Sequence, residues 1–186
     1  MNKTKNWNQL RNEIKTCTAC PLHETRQNAV FGEGNENAEI LIIGEGPGAK
    51  EDELGRPFVG RAGKLLDQLL ENQGLSRNKN VFIANIVKCR PPKNRIPHKV
   101  EIETCFPYLK KQIGHINPKI IVLLGLTAYK SFTGDTVKMK ETHGKWFQYH
   151  DRKIMTTYHP ASVFRNPGFR IFIEEDFKKL AETIKK

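Results

Sequence analysis

The sequence has 186 residues, 38% of them apolar, with 31 Lys and Arg against 20 Asp and Glu and a formal net charge of +11. A chain of this length buries about two thirds of its unfolded surface, so it needs no disulfide staples, and by size it is one domain over 1–186. No run approaches the ~18 apolar residues of a membrane span, and the polar stretch from Met1 to Lys15 lacks a signal peptide's apolar centre, so a cytoplasmic monomer with a polyanionic partner such as nucleic acid is expected.

Four short runs rich in β-branched residues read as strands: Ile40 to Ile43, Val81 to Ile83, Ile120 to Leu124 and Ile154 to Tyr158. Between the first two, Ala62, Leu65, Leu66, Leu69 and Leu70 recur at helical spacing and stop at Gly74. Between the second and third, Val100, Ile102, Phe106, Leu109 and Ile113 do the same. Thr127 to Phe132 reads as a short helix, Lys145 to Tyr149 with a turn at His150, Asp151 and Arg152 as a hairpin arm, and Phe169 to Lys185 as a closing helix. Alternation of strand and helix implies an α/β fold, a parallel sheet of four strands with helices on both faces.

Ligands of such sheets bind beyond the carboxyl ends of the strands. Those ends carry Gly44-Glu45-Gly46-Pro47-Gly48, Asn85, Gly125 and His159-Pro160, which would bring a carboxylate, a carboxamide and an imidazole to one rim. The glycine turn is not a dinucleotide fingerprint, because Pro47 interrupts it and no helix is expected to start in step. It also lacks the closing Lys-Ser or Lys-Thr of a triphosphate loop. It is either a tight strand exit with solvated acids, or a ligand cradle shared with Glu45, Glu51, Asp52 and the loop Arg56-Pro57-Phe58-Val59-Gly60.

Phe58 lies off any helical stripe, where it either stacks on a base or joins the core. Asn85 caps a turn, or accepts from a uracil ring N–H while donating to the adjacent carbonyl, the reverse of what cytosine offers. His159 is either hydrogen-bonded to backbone or catalytic. Cys17 and Cys20 form a C-x2-C pair, followed by Cys89 and Cys105. Four thiolates suit zinc or an iron-sulfur cluster, against four unrelated buried thiols, and the spacing leaves the metal open. A metal there would hold the basic loop with Arg90, Lys93, Arg95 and Lys99 toward phosphates.

Taken together, the chain resembles the family 4, iron-sulfur uracil-DNA glycosylases. The resemblance is carried by Cys17-Thr18-Ala19-Cys20-Pro21-Leu22, Gly44 to Gly48, Gly55 to Gly63, Asn85-Ile86-Val87-Lys88-Cys89-Arg90-Pro91-Pro92, His159-Pro160 and Arg165-Asn166-Pro167, in that order. It implies a three-layer α/β/α sandwich and a [4Fe-4S] cluster on Cys17, Cys20, Cys89 and Cys105. It also implies removal of uracil from DNA, with the base flipped out of the stack. By position Phe58 corresponds to the stacking aromatic, Asn85 to the uracil reader, His159 and Glu45 to the catalytic pair, Gly46 to a backbone amide against the base, and Glu51 to an acid near the uracil edge. Arg90, Lys93, Arg95 and Arg165 are the expected DNA contacts, and Val163 or Phe164 the expected wedge, unless Phe164 is an ordinary core phenylalanine in a helix-start loop. His98 lies out of register with the covalently reacting histidine of a related group and reads as a phosphate neighbour or bystander. The alternatives are a non-enzymatic iron-sulfur or zinc nucleic-acid-binding module, and a nucleotide-binding α/β enzyme.

Overall fold

The structure is a computed structural model that describes residues 3–184. Six strands form one sheet in the order β1(Glu33–Gly34), β3(Val81–Asn85), β2(Ile40–Gly44), β4(Ile120–Leu124), β6(Arg152–Thr157), β5(Trp146–Tyr149). The four inner strands are the expected parallel ones, with Ile42 opposite Ile83 and Val122, and Val122 opposite Met155. The sheet is nevertheless mixed: β5 adds an antiparallel edge as the second arm of the expected hairpin, and β1 closes the other edge antiparallel to β3. Two residues of β1 are too few to show any periodicity in sequence.

All five residues of β2, β3 and β4 are buried, which accounts for their continuous apolar runs in place of alternation. On one face Leu41, Ile43, Phe82 and Leu123 pack against α1(Lys3–Lys15), α4(Lys99–Ile116) and α5(Gly125–Thr133). On the other, Ile40, Ile42, Ile83 and Val122 pack against α3(Arg61–Glu71) and α7(Phe169–Ile184). This is the expected three-layer sandwich.

The helices of the sequence reading are present, with α5 starting two residues earlier than expected; Lys185, the last residue of the expected closing helix, lies outside the described residues. Three further helices went unread. Within the amino-terminal polar stretch Lys3–Lys15 is helical, and Trp7, Leu10 and Ile14 give α1 a buried stripe. A six-residue helix, α2(Ala49–Leu54), begins directly after Gly48, so a helix does start in step with the glycine turn. The third is α6(Met139–Thr142). Among the described residues no helix is long and apolar enough to cross a membrane.

Candidate active site

A cavity of about 670 Å³ opens where β2, β3, β4 and β6 end, and Glu45, Gly46, Phe58, Asn85 and His159 all line it. Parallel pairing makes this convergence unavoidable. Gly44 stands opposite Asn85, Leu124 opposite Thr157, and the chain turns away from the sheet just beyond each. Gly44 itself is required: a Cβ there would lie 2.5 Å from Asn85 Oδ1 and 2.6 Å from Phe58 Cζ, so the carboxamide and the ring share the space a side chain would fill.

Phe58 is 6% exposed and has φ 51°, a left-handed conformation unfavourable for a bulky residue. Several bonds hold it there. Arg77, itself buried, donates from Nη1 to the Pro57 carbonyl at 2.9 Å and from Nη2 to the Phe58 carbonyl at 3.0 Å. Its guanidinium is balanced by Asp67 at 2.7 Å and Glu33 at 3.4 Å. The amides of Val59 and Gly60 donate to Glu51 Oε1, each at 2.8 Å, and the Gly48 amide donates to Glu51 Oε2 at 3.2 Å. Glu51 therefore ties the glycine turn to the Phe58 loop. It lines the cavity, but both carboxylate oxygens are already committed to backbone, which favours a positioning role over the expected contact with a base edge.

Asn85 is 2% exposed, and its Oδ1 has no hydrogen-bond partner among the described residues. A buried amide oxygen left without a donor costs about 1–3 kcal/mol, so it marks a place where a ligand donor belongs. His159 stacks on Phe58 with ring centroids 5.5 Å apart. Its Nδ1 accepts the Ala161 amide at 3.1 Å, which places the proton of the neutral ring on Nε2. Burial, helped by the Arg165 cation and opposed by Glu51, lowers the His159 pKa to about 4, so the ring is neutral near pH 7. Glu45 lines the cavity with no hydrogen-bond or ion-pair partner for its carboxylate among the described residues. The ensemble offers an unmet acceptor, a neutral N–H donor, a carboxylate and an aromatic face to one guest.

The four cysteines line a second, smaller cavity and form no disulfide. Cys89 and Cys105 are buried, and each sulfur receives a donor: Arg26 Nη1 at 3.1 Å from Cys89 Sγ and the Lys88 amide at 3.3 Å from Cys105 Sγ. Burial pushes both thiols up, Cys105 to about 11, and these donors only partly oppose it. Among the described residues no three His, Cys, Asp or Glu groups close around a point as a single metal ion requires.

The expected DNA contacts differ in availability. Lys93 and Arg165 are exposed, and Arg165 lines the cavity. Arg90 Nε donates to Asn94 Oδ1 at 2.8 Å. Arg95 forms a two-bond pair with buried Glu101 at 2.6 and 2.8 Å, which fixes the loop and leaves its charge largely satisfied. Of the two expected wedge residues, Val163 is buried in the core, whereas Phe164 is 43% exposed under the Arg61 guanidinium, 4.2 Å from its ring centroid. His98 caps α4 through its backbone and does not line the cavity.

The profile of the Uracil DNA glycosylase superfamily matches residues 31–185. Type-4 uracil-DNA glycosylases from three organisms are similar over most of their length: that of Sulfurisphaera tokodaii is 48% identical over 94% of this chain and 83% of its own. The Saccharolobus solfataricus protein is 47% identical over 96% and 87%, and the Thermotoga maritima protein 46% over 93% and 92%. The chain belongs to the type-4 uracil-DNA glycosylases.

Within this type-4 glycosylase, sequence reasoning missed Arg77 and Arg26, each isolated among unrelated residues with no motif to mark it. Substituting Glu51→Ala strands three backbone amides, and chemical denaturation should show a loss of about 2 kcal/mol or more. Unchanged stability would mean that this carboxylate does not hold the two loops together.

Proposed function

We propose that this chain removes uracil from DNA by hydrolysis of the N-glycosidic bond, leaving an abasic site. The reading is carried by the orphaned Oδ1 of buried Asn85, in one cavity with the Phe58 ring and the neutral His159.

A deoxyuridine swung out of the helix costs a few kcal/mol of stacking and pairing. Phe58 offers it a rigid face, and Asn85 Oδ1 accepts the ring N3–H while its amino group donates to the neighbouring carbonyl. A cytosine presents an acceptor to the orphaned oxygen and is repelled. Bond cleavage leaves positive charge on the sugar and negative charge on the departing base, as in other glycosidic bonds. His159 Nε2–H and the Gly46 amide are the donors for that developing anion; one preorganised donor in a dry pocket contributes about 3 kcal/mol. Glu45, with no partner of its own, is free to orient the attacking water or to favour the cationic sugar. Phe164, steadied by Arg61, fills the gap the base leaves, with Arg165, Lys93 and Arg90 toward phosphates.

Cys17, Cys20, Cys89 and Cys105 would hold a [4Fe-4S] cluster, which takes one thiolate on each iron and does not need the four sulfurs drawn around one point. When bound, it supplies a covalent tie between the amino-terminal segment and the basic loop, and the proposed hydrolysis transfers no electrons.

The purified protein is expected to generate alkali-labile sites in uracil-containing oligonucleotides and none in cytosine controls. Intact strands from a protein that carries its cluster would instead indicate a binding module. Asn85→Asp should narrow the preference for uracil over cytosine, read as the ratio of excision rates, because a protonated carboxyl offers cytosine a donor; an unchanged ratio would remove Asn85 from base recognition.

His159 gives a pH test. Its folded pKa of about 4 lies below the ~6.5 of an unfolded histidine, so the unfolded chain binds more protons between those values. The stability this group contributes is fully present above about pH 6.5 and is lost as pH falls toward 4. The imidazole NMR signal of His159 should keep its neutral position from pH 8 to about 5, and a titration step near 6.5 would contradict a neutral donor.

A further inference from the structure

Lys88 is the most unusual charged residue in the molecule. It is 1% exposed, and no carboxylate among the described residues pairs with it. Its Nζ donates to the Asn85 backbone carbonyl at 2.7 Å and to Gln112 Oε1 at 2.7 Å. Gln112, also buried, is fixed in turn by donating from Nε2 to the Phe31 carbonyl at 2.7 Å. Neutral oxygens solvate an ammonium but do not balance its charge, and a buried charge without a counter-charge is strongly unfavourable. The neighbouring cysteine site supplies the remedy. Lys88 also lines the cysteine cavity, its own amide donates to Cys105 Sγ, and Cys89 is the next residue in the chain, so thiolates held by a cluster would bring negative charge to the same residue.

We propose that Lys88 is the link between the two sites: its ammonium is charge-balanced by the sulfurs of the cluster the cysteines hold, and it fixes the Asn85 backbone so that the carboxamide points into the uracil cavity. This rests on the reading of Asn85 as the uracil-recognising residue. Lys88 touches no substrate and is a positioning residue. It gives the cysteine site a consequence for base recognition beyond holding the chain together, and it explains why a lysine in a basic, DNA-binding protein is withheld from the surface.

The test uses the holoprotein purified without air and a Lys88→Met variant, which keeps the length and apolar bulk of the side chain. With cluster content matched by iron analysis, the variant is expected to show a lower cluster midpoint potential, because a positive charge beside the sulfurs has gone. It is also expected to bind free uracil about tenfold more weakly. A potential equal to that of the unsubstituted protein, or undiminished uracil binding, overturns the proposal. If Lys88→Met does not fold, the unsubstituted holoprotein decides alone. A coupling carried by Lys88 is reciprocal, so saturating uracil should shift the cluster potential, and should fail to do so in Asn85→Ala. A potential that ignores uracil overturns the link. A holoprotein that neither binds nor excises uracil defeats the proposed function instead, and the potential of Lys88→Met still reports whether Lys88 balances the cluster.

Discussion

The site depends on a missing side chain at the end of the central strand. Gly44 pairs with Asn85 across the sheet, and the space above it is shared by the Asn85 carboxamide and the edge of the Phe58 ring. Any larger residue would separate the two, and with them the polar and aromatic halves of the pocket. The same logic recurs one helix away, where Gly63 lets α3 approach so closely that a Cβ would collide with the Phe58 carbonyl group. Backbone proximity, secured by glycine, places an aromatic ring in a left-handed conformation that its own preferences oppose.

Much of the buried and part-buried charge in this molecule holds backbone in place. Glu51 gathers three amides, Arg77 two carbonyls, and Asp52, 2% exposed, accepts the amides of Gln27 and Asn28. Thr157, two residues before His159, donates to fully buried Asp176 at 2.7 Å and so pins the last strand end to α7. Asp52, Arg77 and Asp176 are expensive to bury and each is matched by several hydrogen bonds, which with the Glu51 clamp makes the rim rigid before any ligand arrives. Rigidity is what the proposed anion-stabilising role requires, since donors that need not reorganise are worth most at the moment charge develops.

The strands, the three layers and the rim were legible in the sequence because they rest on periodicity and on the polar or small residues that end each apolar run. Glu45, Phe58, Asn85 and His159 could be singled out for the same reason, and the structure brings them to one cavity. Edge strand β1 was not legible, being two residues recruited by β3, nor was α1, whose apolar stripe is diluted by a strongly polar surface. Charged residues were the least readable. Arg95 reads as one more cation for phosphate and Lys88 stands out in no way, and only burial and partners distinguish a loop clamp and a buried ammonium from a surface charge. Glu51 shows the same ambiguity in the opposite sign.

The central claim is that the rim makes departure of a negatively charged uracil easy, so the most direct measurement is the ionisation of uracil bound to the holoprotein, followed by ultraviolet difference spectra against pH. The account predicts that bound uracil loses its N1 proton at a pH well below that of free uracil, and that replacing His159 with alanine moves the transition back toward the free value. Bound uracil that titrates as it does in water would contradict it.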